Sequence, residues 1–178
     1  MNKNILLTGN PGCGKTTLIQ RVVARLRCPV GGFYTQEIRE EGARLGFKVI
    51  TFDGQEGILA HVAVDSPLRV GKYGVDLQAL ESVGVTSVQR ALDESALVVV
   101  DEIGPMELFS KPFCQVVLDA LDSEHVLFGS VMKRSQPFAD QVKARPDVTV
   151  IEVHRGHRDA LAEQVLARLL ATGRCSTP

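Results

Sequence analysis

Gly9-Asn10-Pro11-Gly12-Cys13-Gly14-Lys15-Thr16 sets three glycines, a lysine and a hydroxyl at the spacing that surrounds a phosphate chain. Glycine at these positions permits backbone angles and close approaches that a side chain would block, so successive N–H groups turn inward around phosphate oxygens at a helix's positive end. Lys15 then reaches the β- and γ-phosphates, and the Thr16 hydroxyl binds the magnesium that bridges them. Thr17, one residue further on, reaches toward the α-phosphate. Asn10, Pro11 and Cys13 fill the variable positions of this cradle, which is the phosphate-binding P-loop pattern.

A second run completes the chemistry. Leu97-Val98-Val99-Val100 reads as a buried strand that delivers the adjacent carboxylates Asp101 and Glu102 at its end. Asp101 is expected to hold magnesium through a coordinated water, and Glu102 to orient and polarise the water that attacks the γ-phosphate. Both face the nucleotide. Arg134, after the apolar run Val126 to Phe128, is the candidate for a cis arginine that neutralises charge developing in the transition state.

Asp101 and Gly104 also fit the Asp-x-x-Gly switch of guanine-specific GTPases, but the chain has no Asn-Lys-x-Asp segment, and its one Asn-Lys pair, Asn2-Lys3, precedes the first strand. Strict guanine specificity is not expected. His154, Arg155, His157 and Arg158 follow the last apolar run, where a flat contact would tolerate any base. Their alternative is a basic helix start paired with Asp159. Glu37, Arg39 and Arg44 either face the phosphates or pair with one another on the surface. Gly71 and Gly74 flank Lys72 and Tyr73, as in a mobile segment that closes over a site.

These residues need elements to hold them. Ile5 to Leu7 suits a buried strand before the loop, and Leu18, Ile19, Val22, Val23 and Leu26 recur at helical spacing after it. Val126 to Phe128 and Val148 to Val153 read as further strands. Helices are expected over Leu77 to Asp93, Pro112 to Leu121, Pro137 to Ala144 and Arg158 to Leu170. Such alternation predicts an α/β fold, a mainly parallel sheet with helices on both faces and ligands at the strands' carboxyl ends. Three strand-like runs, Gly32 to Thr35, Gly46 to Ile50 and Ile58 to Val62, break the rhythm and predict an inserted antiparallel β meander over about 31–64.

The 178 residues predict a single domain over 1–178, able to bury about 70% of its unfolded surface without a metal or disulfide. Its four cysteines, Cys13, Cys28, Cys114 and Cys175, have no zinc-knuckle, redox or disulfide-framework spacing, so a reducing cytoplasm is expected. The tail from Thr172 to Pro178 is small and polar and is expected to fray. No apolar segment has the length of a signal peptide or a membrane span, so no membrane partner is expected. A net charge of -1 excludes the basic footprint of a general nucleic-acid binder. The expected state is a monomer.

Several blocks together resemble one family, the small stand-alone nucleoside-triphosphatases of thermophiles and their animal cancer-related counterpart. They are Gly9 to Thr17, Gly32-Phe33-Tyr34-Thr35-Gln36-Glu37-Ile38-Arg39, Gly42 to Phe47, Val70-Gly71-Lys72-Tyr73-Gly74-Val75-Asp76-Leu77 and Asp101-Glu102-Ile103-Gly104-Pro105-Met106-Glu107-Leu108. The resemblance implies a RecA-like P-loop NTPase fold. It also implies slow, Mg2+-dependent hydrolysis of nucleoside triphosphates, ATP, GTP and others, to diphosphate and phosphate with little base preference. The family often carries Lys where Pro105 stands and Asn-Arg where this chain has His157-Arg158. Two other uses of the same cradle remain open at this point: a kinase passing the γ-phosphoryl group to a small-molecule or nucleoside acceptor, and a nucleotide-switched interaction module.

Overall fold

The computed structural model describes residues 2–178; Met1 and the side chain of Arg155 lie outside the described residues. The first strand, β1 (Asn4–Thr8), is buried along its whole length and runs through the phosphate loop into helix α1 (Lys15–Val23). Three further core strands follow the expected runs: β7 (Leu97–Ile103), β8 (Val126–Val131) and β9 (Val148–Glu152). Between them lie β2 (Val30–Glu40), β3 (Ala43–Thr51), β4 (Glu56–His61), β5 (Arg69–Val70) and β6 (Tyr73–Val75). All nine join one sheet in the order β5-β6-β4-β3-β2-β7-β8-β1-β9.

The half from β2 to β9 is parallel, and the half from β2 to β5 is antiparallel. β2 belongs to both. Val30 to Phe33 pair in parallel with β7, whereas Phe33 to Glu40 pair antiparallel with β3. The expected meander is therefore an extension of the core sheet that begins inside a core strand, not a separate insertion. Lys72 lies in the turn of the β5–β6 hairpin at the far edge, and Tyr73 opens β6, buried against Phe47.

Side chains alternate along each parallel strand, and the alternation divides the core in two. Ile5, Leu7, Leu97, Val99 and Phe128 pack with Leu18, Ile19 and Val22 of α1 and with Leu161, Val165 and Leu169 of α6 (Arg158–Ala171). Leu6, Val98, Val100 and Leu127 pack on the opposite face. Their partners come from α3 (Thr86–Glu94), α4 (Lys111–Asp122) and α5 (Pro137–Lys143). Helices thus cover both faces, as alternation requires. The expected helix over 77–93 is present but mixed: a short α2 (Leu77–Ala79) passes through a π-helical turn, Leu80–Val85, into α3.

The tail corrects two expectations. Cys28 and Cys175 form a disulfide across 147 residues of sequence. Beside it, the Arg27 and Ser176 backbones exchange hydrogen bonds of 2.7 and 3.4 Å, so this stretch is paired to the body rather than frayed. The cysteine spacing hid this pair because only the fold brings the turn after α1 against the chain after α6. With a disulfide present, cysteine usage no longer argues for a reducing compartment. Among the described residues, no helix is long and apolar enough to cross a membrane.

Candidate active site

The loop between β1 and α1 wraps tightly because its glycines take left-handed angles. Gly12 has φ 72° and Gly14 φ 100°, a region where a Cβ is strained. Gly14 ends at the first turn of α1, so the turn's backbone N–H groups and the helix dipole point into the loop. Lys15 is buried, with its Nζ 3.3 Å from the carbonyl oxygen of Gly9, to which it donates. A cation so held lies across the mouth of the loop, where a phosphate chain would compete for it.

β7 does not lie next to β1, because β8 intervenes. The two strand ends still meet. The Thr16 hydroxyl at the start of α1 donates to Asp101 Oδ2 at 2.5 Å. From the intervening strand the Ser130 hydroxyl donates to Asp101 Oδ1. Asp101 is buried, and burial pushes its pKa upward against the pull of Ser130, Thr16 and Lys15. An oxygen pair made of Thr16 and Asp101 offers a hard cation the ligands it prefers.

Glu102 is half-buried beside Asp101, across a cis peptide bond. Burial raises its pKa first, the Lys15 charge draws it back, and repulsion from Asp101 raises it further. A carboxylate moved toward neutral pH suits proton abstraction better than an unperturbed one. Two further groups lie here that no sequence pattern marks. Ser130 was legible only as a polar residue ending an apolar run, and Glu107 only as a charge within a short family-like block. Glu107 lies in a 3-10 turn, Glu107–Phe109, and is buried.

The remaining expectations divide. Asn10, Pro11 and Cys13 border a cleft of about 240 Å3 together with Glu152, Val153 and His154, so the loop after β9 does stand beside the phosphate loop. Arg158 lies against that loop as well: a Cβ added to Gly14 would sit 2.9 Å from its Cδ and Nη1. Two exposed ion pairs, Arg21 with Asp159 at 2.7 Å and Arg25 with Glu163, bridge α1 and α6 where their apolar faces pack. Thr17 is exposed. Arg134 is exposed in the turn after β8, outside the hydrogen-bonded set of Thr16, Asp101 and Ser130. Glu37, Arg39 and Arg44 pair with one another at 2.7 and 2.8 Å, and Arg44 Nε donates to the Tyr73 hydroxyl at 3.0 Å. The surface-pairing alternative describes them. A larger cleft, about 360 Å3, lies among Asn2, Lys3, Glu124, Arg168 and Arg174 and includes no loop residue.

Known proteins match nearly the whole chain. The profile of a family described as NTPase aligns with residues 4–166. A protein named nucleoside-triphosphatase THEP1, from Thermotoga sp. (strain RQ2), is 49% identical over 165 residues, covering 93% of this chain and 94% of that one. A cancer-related nucleoside-triphosphatase homolog of Mus musculus is 38% identical over 184 residues, covering 94% and 96%. The crystal structure of THEP1 from the hyperthermophile Aquifex aeolicus superposes with a TM-score of 0.86 at 34% identity, covering 93% of this chain and 98% of that one.

Proposed function

Since the chain belongs to the NTPase family, whose matched members are named nucleoside-triphosphatases, we propose that it hydrolyses nucleoside 5'-triphosphates to the diphosphate and phosphate, with magnesium and little preference among bases. The observation that carries the reading is the 2.5 Å contact between Thr16 Oγ1 and Asp101 Oδ2. It joins the phosphate-binding element to the acidic strand at one point.

Each residue then has a task. Main-chain N–H groups of residues 9–14 and the Lys15 ammonium bind the β- and γ-phosphates and hold the terminal phosphorus in place. Glu102 holds a water against that phosphorus. As the water oxygen bonds to phosphorus, its proton passes to Glu102, and the bond to the bridging oxygen breaks with its electron pair leaving on the diphosphate. Thr16 and Asp101 would hold a magnesium ion, hard oxygens matched to a cation that keeps waters and takes other ligands from substrate. Its charge would offset that of the phosphate oxygens. Arg158, against Gly14, adds a cation on the loop's outer side.

Absence of the Asn-Lys-x-Asp guanine reader supports broad base tolerance. The test is phosphate release from ATP, GTP, CTP and UTP with magnesium and with chelator. Release from all four, lost with chelator, is expected. Release that requires an added acceptor alcohol would overturn hydrolysis in favour of phosphoryl transfer.

A further inference from the structure

Glu107 is a fully buried acid at the reaction centre that the proposed chemistry does not use. Its placement follows from a glycine. Gly104 turns the chain out of β7, and the space beside its Cα is bordered by both carboxyl side chains. A Cβ built there would sit 3.1 Å from Glu107 Oε2, 3.1 Å from Glu102 Cγ and 3.3 Å from Glu102 Cδ. Any side chain at 104 would part the two acids. Resting on the hydrolase reading above, we propose that Glu107 is a positioning residue: its carboxyl, set beside the Glu102 side chain at Gly104, fixes the orientation in which Glu102 takes the water's proton.

The surroundings favour the neutral acid. Burial raises the Glu107 pKa to about 8 from 4.5, with repulsion from Glu102 next and a smaller part from Asp101. Backbone N–H groups of Glu107 and Gly104 pull the other way and do not offset the burial. Among other nearby charges, Lys15 acts on Glu102 and Asp101, and Glu81 is engaged by the Ser110 hydroxyl at 2.7 Å. A neutral carboxyl keeps a hydroxyl that can donate to a carboxylate beside it. An ionised Glu107 would offer Glu102 no donor and a second negative charge.

The experiment compares Glu107→Gln, which keeps the shape and a neutral donor, with Glu107→Leu, which removes the donor. At pH 7 with saturating magnesium, E107L should lower kcat by about tenfold or more with KM within about twofold, and E107Q should recover most of that loss. The parent's kcat should fall above about pH 8 as Glu107 ionises, and E107Q should lack that fall. Thermal unfolding without nucleotide gives a second measurement. A carboxyl whose folded pKa lies above its unfolded one contributes fully below about pH 4.5 and loses that contribution as pH rises to about 8, so E107Q should gain on the parent between about pH 4.5 and pH 8. The same alkaline fall in E107Q, a kcat as low as that of E107L, or an unchanged melting gap would each overturn the proposal. A parent that releases no phosphate overturns the hydrolase reading instead, and the melting comparison still decides the state of Glu107.

Discussion

Thr16 and Asp101, 85 residues apart in sequence, meet at 2.5 Å between hydroxyl and carboxylate. Between β7, which carries Asp101, and β1, which leads into the loop before Thr16, lies β8, whose Ser130 hydroxyl holds the other oxygen of the same carboxylate. Asp101 is thus fixed from both sides before any ligand arrives, which lowers the cost of ordering it on binding.

Ser130→Ala removes one of those holds. A lost hydrogen bond to a charged group costs about 1.5–3 kcal/mol, so the magnesium concentration for half-maximal phosphate release should rise by about tenfold or more. Magnesium titrations of parent and variant at saturating ATP measure it. Superimposable titrations would mean that the Ser130 hydroxyl does not orient Asp101 for a cation.

Arg158 stands against Gly14 and Arg134 does not share the Asp101 network. Arg158→Ala should therefore raise KM for triphosphates by about tenfold, the worth of one charge-assisted contact. Arg134→Ala should change KM and kcat by less than about twofold. Steady-state kinetics on both variants decide the assignment, and a large kcat loss confined to Arg134→Ala would return the transition-state role to that residue.

The Cys28–Cys175 disulfide ties the C-terminal tail to the turn after α1. Closing a long loop contributes about 2–4 kcal/mol, so Cys175→Ser, or reduction of the parent, should lower Tm by roughly 5–15 °C. Melting curves with and without reductant measure the effect. Equal curves, with all four thiols titratable in the untreated protein, would contradict the bond.

How much of this was legible in the sequence follows from how locally each feature is encoded. The phosphate loop, its flanking strand and helix and the Asp101–Glu102 pair are contiguous patterns, and each stands where its pattern placed it. The helices over Pro112 to Leu121 and Arg158 to Leu170 were also legible, from apolar spacing and, in the first, a Pro in the opening turn. Of β2 only Gly32 to Thr35 was legible as a strand, because Gly31-Gly32 weaken its signal at the segment that pairs with β7. β5 and β6, two and three residues long, are too short for any periodicity. Ser130, Glu107 and the Cys28–Cys175 bond depend on strand order and burial, which emerge only when distant segments pack. Arg134 stands exposed in the turn after β8, where its charge, rather than any packing, was legible.

In the proposed hydrolysis the loop from Gly9 to Thr16 and the carboxylates of β7 act on one terminal phosphorus, with Glu102 taking the proton of the attacking water. Glu102→Gln keeps the volume and removes the base, which is worth about 10²–10⁴ in rate. The most direct measurement is single-turnover phosphate release from magnesium ATP by parent and variant, with nucleotide affinity measured on the same samples. A fall of at least about a hundredfold in release is expected, with affinity within about threefold. Release at the parent's rate, with affinity retained, would contradict it.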